Sequence, residues 1–444
     1  MSYRIESDTL GEVKVPEERL WGAQTQRSLE NFRIGGRMPI EIIHALAAIK
    51  KAAAIVNDIE DDKRAAICDA CDKIIGGSYD DEFPLRVYQT GSGTQTNMNV
   101  NEVIAHIGGA GLHPNDDVNR SQSTNDTFPS AINIASVILI EDRLLPAIGR
   151  FMDVTDRLCS KYEDVVKVGR THLQDAVPMT LGQELSSWKN AAQKAYLRIE
   201  EGLSELKELP LGGTAVGTGL NTPADYDIRV CRELGRILNR EFVPCANKFT
   251  GLAFKDSVSA SHSDIRVLAE AMMKIADDVR WYASGPRCGI GEMKIPANEP
   301  GSSIMPGKVN PTQCEAMTMV CARIIGNDVT MSTCASRGSF QLNVFMPLIG
   351  DVMVESIGIM ADAMDSFTDN CLKGLEPDLE KIAVNLDRSL MNITALNKVI
   401  GYEKSAEIAK LAYSRGIRLV DACTELGYLT EEEFNEYVDP KKMV

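Results

Sequence analysis

Aromatic residues are scarce in this chain: Phe, Trp and Tyr together make up 6% of its 444 positions. Strands draw on aromatic and β-branched side chains, so this shortage argues for helices over sheets, as do the plentiful Ala and 18 Met. Histidine occurs only five times, and no metal-binding constellation stands out. Basic charge is in deficit, with 47 Lys and Arg against 63 Asp and Glu, a formal net charge of −16. Nucleic acid and an anionic membrane surface both need a basic face, so neither is expected as a partner. No apolar run approaches the ~20 residues that span a bilayer. The first residues carry Arg4, Glu6 and Asp8 rather than an apolar stretch, so no secretory signal is expected and the reading is cytoplasmic.

Three further absences narrow the chemistry. There is no Gly-x-Ser-x-Gly elbow, no Gly-x-Gly-x-x-Gly after a strand and no phosphate loop ending in Gly-Lys-Ser/Thr, which argues against serine-hydrolase chemistry, hydride transfer and nucleotide binding. The eleven cysteines are odd in number and scattered. Cys68 and Cys71 form the one close pair, with no second Cys or His pair at zinc-site spacing, which reads as free thiols in a reducing compartment.

What the chain does have is long helices. From Val258 to Tyr282, apolar residues fall at Ile265, Leu268, Met272, Ile275, Val279 and Tyr282, alternating three and four apart. That is the seam of helices packed side by side in a bundle. Ala131 to Tyr162 reads likewise, with a break or kink expected at Pro146, and Gln341 to Cys371 is a third long apolar stretch. The first ~120 residues mix short helices (Ile40 to Asn57, Asp62 to Ile75) with polar loops, and the last ~65 are short helices with turns at Gly401, Gly416 and Gly427. Thr430 and Glu433 predict a capping box. The expectation is an all-α protein in three consecutive parts: 1–122 mainly helical, 123–379 a long-helix bundle, 380–444 a small helical domain. Ala and Met on several faces of the long helices predict homo-oligomerisation through the bundle.

Five loops crowd small and polar residues. Gly301-Ser302-Ser303-Ile304-Met305-Pro306-Gly307-Lys308-Val309-Asn310-Pro311 holds two glycines and two prolines, so neither a helix nor a central strand fits. It reads as a mobile, anion-binding loop leading into a helix over Thr312 to Asp328. Gly91 to Asn97 alternates hydroxyls with glycines, which lets backbone N–H groups approach a ligand. His113 to Asn119 and Ser123 to Asp126 place Asn and hydroxyl donors before a long helix, which suits carboxylate binding; the Asp residues are also fit to cap helices. Gly169 to Asp175 puts His172 in a polar turn between helices, where residue type alone leaves structural and catalytic roles open. Gly212 to Asn221 reads as flexible, with no titrating group.

Taken together these segments resemble the fumarase/aspartase superfamily. The Gly301–Pro311 loop resembles its signature. The Trp21–Ser28 segment, the four other loops and Pro311-Thr312-Gln313-Cys314-Glu315-Ala316 are similar, more closely, to the class II fumarate hydratases. The resemblance runs in order from about residue 3 to the C-terminus. Gly307, and Thr312-Gln313-Cys314 after Pro311, separate the chain from aspartate ammonia-lyases. The alternatives are an ammonia-lyase of this superfamily or a catalytically silent structural member.

The resemblance implies an all-α homotetramer around a core of long helices, each active site shared by three subunits, with no cofactor and no metal. It implies reversible trans addition of water to fumarate, giving (S)-malate through an aci-carboxylate carbanion. Ser302 would be the base at C3 and His172 the partner at C2, oriented by Glu315. Lys308 and Asn310 would stabilise the developing charge. Ser92, Thr94, Ser123, Thr124, Asn125, Thr171 and Ser303 match substrate-carboxylate contacts, as do Lys308 and Asn310. His113, Asn115 and Asp116 match a second dicarboxylate site. Here the segment after Asn101 is shorter than usual, and Ala110, Gly111 and Leu112 stand where basic residues are common. Thr124 replaces a usual Ser and keeps the hydroxyl.

Overall fold

The computed structural model describes residues 2–109 and 111–444; Ala110 lies outside the described residues. The chain is mainly helical, at 62%. The heptad seam becomes a helix over Asp256–Tyr282, and all six seam residues are buried, from Ile265 to Tyr282. Burying each such side chain contributes about 1.5–3 kcal/mol. The other long helices are Leu181–Leu206, Thr312–Ala335 and Met346–Asn370. The expected short helices form at Ile40–Val56 and Asp61–Ile75. Pro146 does not break its helix outright. Thr124–Leu139 runs into a π-helical stretch, Ile140–Leu144, and then Leu145–Lys161. Pro146 has no N–H and its ring crowds the carbonyl four residues back, so the preceding turn widens to accommodate it.

The strands depart from the all-α expectation. Tyr3–Asp8 pairs antiparallel with Gly11–Pro16, and Val166–Thr171 with Gln174–Thr180; three other sheets pair two-residue strands. In Gly11–Pro16 Val13 and Val15 alternate with polar residues, a period of two that a count of aromatics does not register. The second hairpin corrects the expectation that His172 sits in a turn between helices.

The chain divides into two compact units. One comprises Met1–Pro146, Ala195–Ala269 and Cys321–Ala361; the other comprises Ala147–Lys194, Glu270–Val320 and Asp362–Val444. In the second unit a C-terminal cluster packs Leu396, Ile408, Ala412, Cys423 and Phe434 together. The Thr430–Glu433 capping box opens the helix Glu431–Tyr437. Among the described residues no helix is long and apolar enough to cross a membrane.

Candidate active site

In the first unit the polar residues are gathered by helix starts. Gly93 has φ +78°, and a Cβ there would lie 2.4 Å from the Phe128 ring; one on Gly91 would lie 1.6 Å from the Val344 carbonyl oxygen. Only glycine lets this loop lie so close to its neighbours. It delivers Thr94 to the first position of the helix Thr94–Gly108, where Ser92 Oγ and Thr94 Oγ1 are 2.8 Å apart. Ser123 caps the helix Thr124–Leu139, and its Oγ accepts from Asn125 N at 3.2 Å. Thr124 Oγ1 accepts from Asn97 Nδ2 at 3.0 Å, and Asn125 Nδ2 donates to Ala215 O at 2.7 Å. As acceptors, Ser123 and Thr124 keep their hydroxyl protons for a ligand.

The same contacts correct the picture of Gly212–Asn221 as a flexible loop. Leu211, Gly212, Gly213 and Thr214 are buried, and the loop is tied to Asn125 and Asp126. Composition fixed no partner for it, and the partner is ~90 residues away.

In the second unit Thr171 and Gln174 close the hairpin, with His172 and Leu173 at its tip. Both tip residues have positive φ, +58° and +59°. Such turns usually take Asn or Gly, and each non-glycine residue held there costs about 1–2 kcal/mol. His172 is exposed and, among the described residues, makes no hydrogen bond within its chain. Beneath the tip, Arg170 grips the buried Glu292 with two guanidinium nitrogens, at 2.8 and 2.5 Å. Buried Lys167 lies 3.0 Å from Glu184 and 3.1 Å from the Tyr282 hydroxyl, which donates to Glu184.

The loop from Gly301 to Pro311 is irregular, as its composition requires. Gly301 N donates to Lys308 O at 2.9 Å, and Asn310 Nδ2 donates to Gly301 O at 2.6 Å. A Cβ on Gly301 would meet Lys308 O at 2.4 Å. Inside the loop thus closed, Ser302 Oγ accepts two backbone N–H groups, Ile304 at 3.3 Å and Met305 at 3.1 Å. Ser303 and Lys308 are exposed, and Lys308 has no ion-pair partner among the described residues. Pro311 ends the loop, and the helix begins at Thr312, so Glu315 lies in its exposed first turn. Among the described residues no hydrogen bond joins Glu315 to His172.

His113 belongs to the first unit. Its Nδ1 accepts from Asp116 N at 3.1 Å, opening the turn Pro114–Val118. His113 and Asn115 line a cavity of about 510 Å³ that also exposes Glu6, Asp8, Glu102 and His106; Asp116 is not on its wall, and no Lys or Arg is.

The chain matches the family described as lyase over residues 11–326, and that described as the fumarase C C-terminus over residues 393–444. It therefore belongs to the lyase family, on the fold and loops described above. Within it, the chain belongs to the class II fumarate hydratases. It is 52% identical to the fumarate hydratase class II of Bacillus cereus and 50% to that of Bacillus subtilis, each covering 100% of this chain and 99% of the relative. The crystal structure of recombinant class II fumarase from Schistosoma mansoni superposes with a TM-score of 0.97 at 40% identity, covering 100% of this chain and 99% of that one. The alignment with the Bacillus cereus protein spans 458 positions against 444 residues here, so that relative carries segments this chain lacks.

Proposed function

We propose that this chain catalyses the reversible trans addition of water to fumarate, giving (S)-malate. The observation that carries this reading is Ser302 Oγ receiving two backbone N–H groups in a loop that also presents the unpaired cation Lys308. A serine hydroxyl is a weak base in water. Donors already aimed at its oxygen favour the alkoxide, and a nearby ammonium adds to that.

In the malate-to-fumarate direction Ser302 removes the C3 proton. The electron pair left behind is held as an aci-carboxylate, with added negative charge on the neighbouring carboxyl group. Lys308 and Asn310 stabilise that charge, Asn310 after the loop closes on substrate and releases its bond to Gly301 O. His172 protonates the departing C2 hydroxyl as the C2–O bond breaks, and Glu315 orients the imidazole. Ser92, Thr94, Ser123, Thr124, Asn125, Thr171 and Ser303 receive the two carboxylates. Neither metal nor cofactor has a role in this scheme.

The assembly belongs to the same proposal. The helix Thr312–Ala335 leaves one face bare, with Ala316, Met319, Ala322, Gly326 and Val329 exposed, Met319 at 67% and Val329 at 65%. Long helices with such faces pack against copies of themselves, and closed dihedral symmetry covers them most simply. We therefore read the protein as a cytoplasmic homotetramer whose active sites are each shared by three subunits. In that arrangement His172 and Glu315 meet across subunits, and the bond missing within one chain is made between two. The division into 1–122, 123–379 and 380–444 goes with this reading; the separate family match over 393–444 falls within its last part.

The site at His113, Asn115 and Asp116 is proposed as a weak one for dicarboxylates. No Lys or Arg lines its cavity to receive a dianion, and the nearby Arg4 and Arg27 are already paired with Glu6 and Asp8 of its wall.

A steady-state assay on a small dicarboxylate panel tests the function. Loss of fumarate absorbance with malate formed and no ammonia supports it. Ammonia from aspartate, with no turnover of malate, assigns the chain to ammonia-lyase chemistry instead.

A further inference from the structure

Asp126 has no part in the chemistry above, yet it is fully buried beside the residues that do. Its two oxygens serve different segments. Oδ1 accepts from Ser123 N at 2.9 Å and completes the capping box of the helix Thr124–Leu139. Oδ2 accepts from Gly212 N at 3.0 Å and from Thr214 N at 2.9 Å. Gly212 and Thr214 both have positive φ, +83° and +54°, which turns their N–H groups toward one point. Such a backbone nest binds a negative oxygen. Here the carboxylate that fills it comes from the chain itself.

Two neighbouring contacts extend the clamp. Asn125, the next residue back, donates Nδ2 to Ala215 O at 2.7 Å, so adjacent residues hold the loop at three points. From the other side, buried Lys50 donates to Asn119 Oδ1 at 2.7 Å; Asn97 Nδ2 donates to that same oxygen at 3.2 Å and to Thr124 Oγ1 at 3.0 Å. Ser123, the buried Thr124 and Asn125 are therefore fixed from below and from the loop.

We propose that Asp126 is a positioning residue for substrate binding: by tying the Gly212–Asn221 loop to the helix start, it holds Ser123, Thr124 and Asn125 in the arrangement that receives a substrate carboxylate. This rests on the reading that those three residues bind substrate. Asp126→Asn keeps the size but sets an amide NH₂ against either Ser123 N–H or the nest, donor facing donor.

The test is steady-state kinetics of the intact oligomer, with amide hydrogen exchange over 212–219 as a second readout. Because the donors hold the carboxylate in ground and transition states alike, KM is expected to rise about 10-fold in Asp126→Asn while kcat changes less than about 3-fold. Exchange over 212–219 is expected to quicken. Gly212→Ala disturbs the nest from the loop side, since its Cβ would lie 2.8 Å from Asp227 Cβ, and the same KM rise is expected; it serves if Asp126→Asn does not fold. Asn125→Ala is measured alongside. If KM rises in Asn125→Ala but stays unchanged in Asp126→Asn, the proposal is overturned while the substrate reading stands. If KM moves in neither, the substrate reading falls and the proposal with it. A fall in kcat at unchanged KM in Asp126→Asn also overturns it.

Discussion

Arg170 and Glu292 form a two-pronged ion pair, at 2.8 and 2.5 Å, directly under the hairpin tip that carries His172. Glu292 is fully buried and also accepts from Asn385 Nδ2 at 2.9 Å, on the helix Leu379–Arg388. The strained tip is thus anchored to a segment more than 200 residues further along the chain. A lysine reaches a carboxylate as a single point charge, whereas arginine matches it with a fork. Arg170→Lys is therefore expected to keep the charge, loosen the hairpin and lower kcat about 10-fold, in line with the loss on misplacing a catalytic group by a fraction of an ångström. Stopped assays and hydrogen exchange over 166–180 check this; exchange at the native rate would mean the pair does not hold the tip.

His172→Asn separates chemistry from folding. Asn is one of the few residues that adopts positive φ readily, so the turn is kept. The expected result is a kcat loss of about 100-fold or more with a melting temperature at or slightly above that of the native protein, since general acid–base groups contribute about 10²–10⁴. A histidine with a purely structural role would show the reverse, a lower melting temperature and near-native kcat.

Burial pushes the Asp126 carboxyl up to about 6, against the pull of the Ser123, Thr214 and Gly212 N–H groups and of Lys50. The folded value lies above the unfolded one, so the folded state binds this proton more tightly. The stability this group contributes is complete below the unfolded value of about 3.9 and is lost as pH rises through about 6. Two pKa units correspond to about 3 kcal/mol at most. The stability difference between native protein and Asp126→Asn is expected to shrink by up to that amount between about pH 4 and 6.5, then level off. Denaturant unfolding across this range measures it; a difference that grows with pH would reverse the sign.

His113→Ala is expected to leave kcat within about 2-fold of native, since a surface change away from buried or catalytic groups has little effect. Steady-state kinetics at high fumarate checks it, and a large kcat loss would place His113 in the catalytic pocket.

Much of this was legible in the sequence, for identifiable reasons. Periodicity carried the long helices: every seam residue from Ile265 to Tyr282 is buried. Gly and Pro marked the Gly301–Pro311 loop as irregular, and Thr430 with Glu433 marked a helix start. The hairpin around His172 was missed because its tip, His172-Leu173, lacks the Asn-Gly signal that such turns normally show. The capping by Asp126 was legible, since Ser123-x-x-Asp126 is the spacing of a capping box, but its tie to the Gly212–Asn221 loop was not. Lys50 had a signal that went unused, a lysine inside the apolar run Ile40–Val56. Glu292 had none, because its partners Arg170 and Asn385 lie about 120 and 90 residues away and no local pattern links them. Nor does a single chain's sequence say which faces meet a second copy; the exposed Met319 and Val329 do so only once the helix is seen.

The most direct test of the central claim is Ser302→Ala, assayed for fumarate hydration with the oligomer's mass measured on the same sample. Among the described residues the Ser302 side chain receives two backbone N–H groups, both within its own loop, so its loss leaves the core untouched. The account predicts an intact oligomer with kcat reduced by at least about 10³-fold, the scale of removing an essential base. Near-native kcat in an intact oligomer would contradict it.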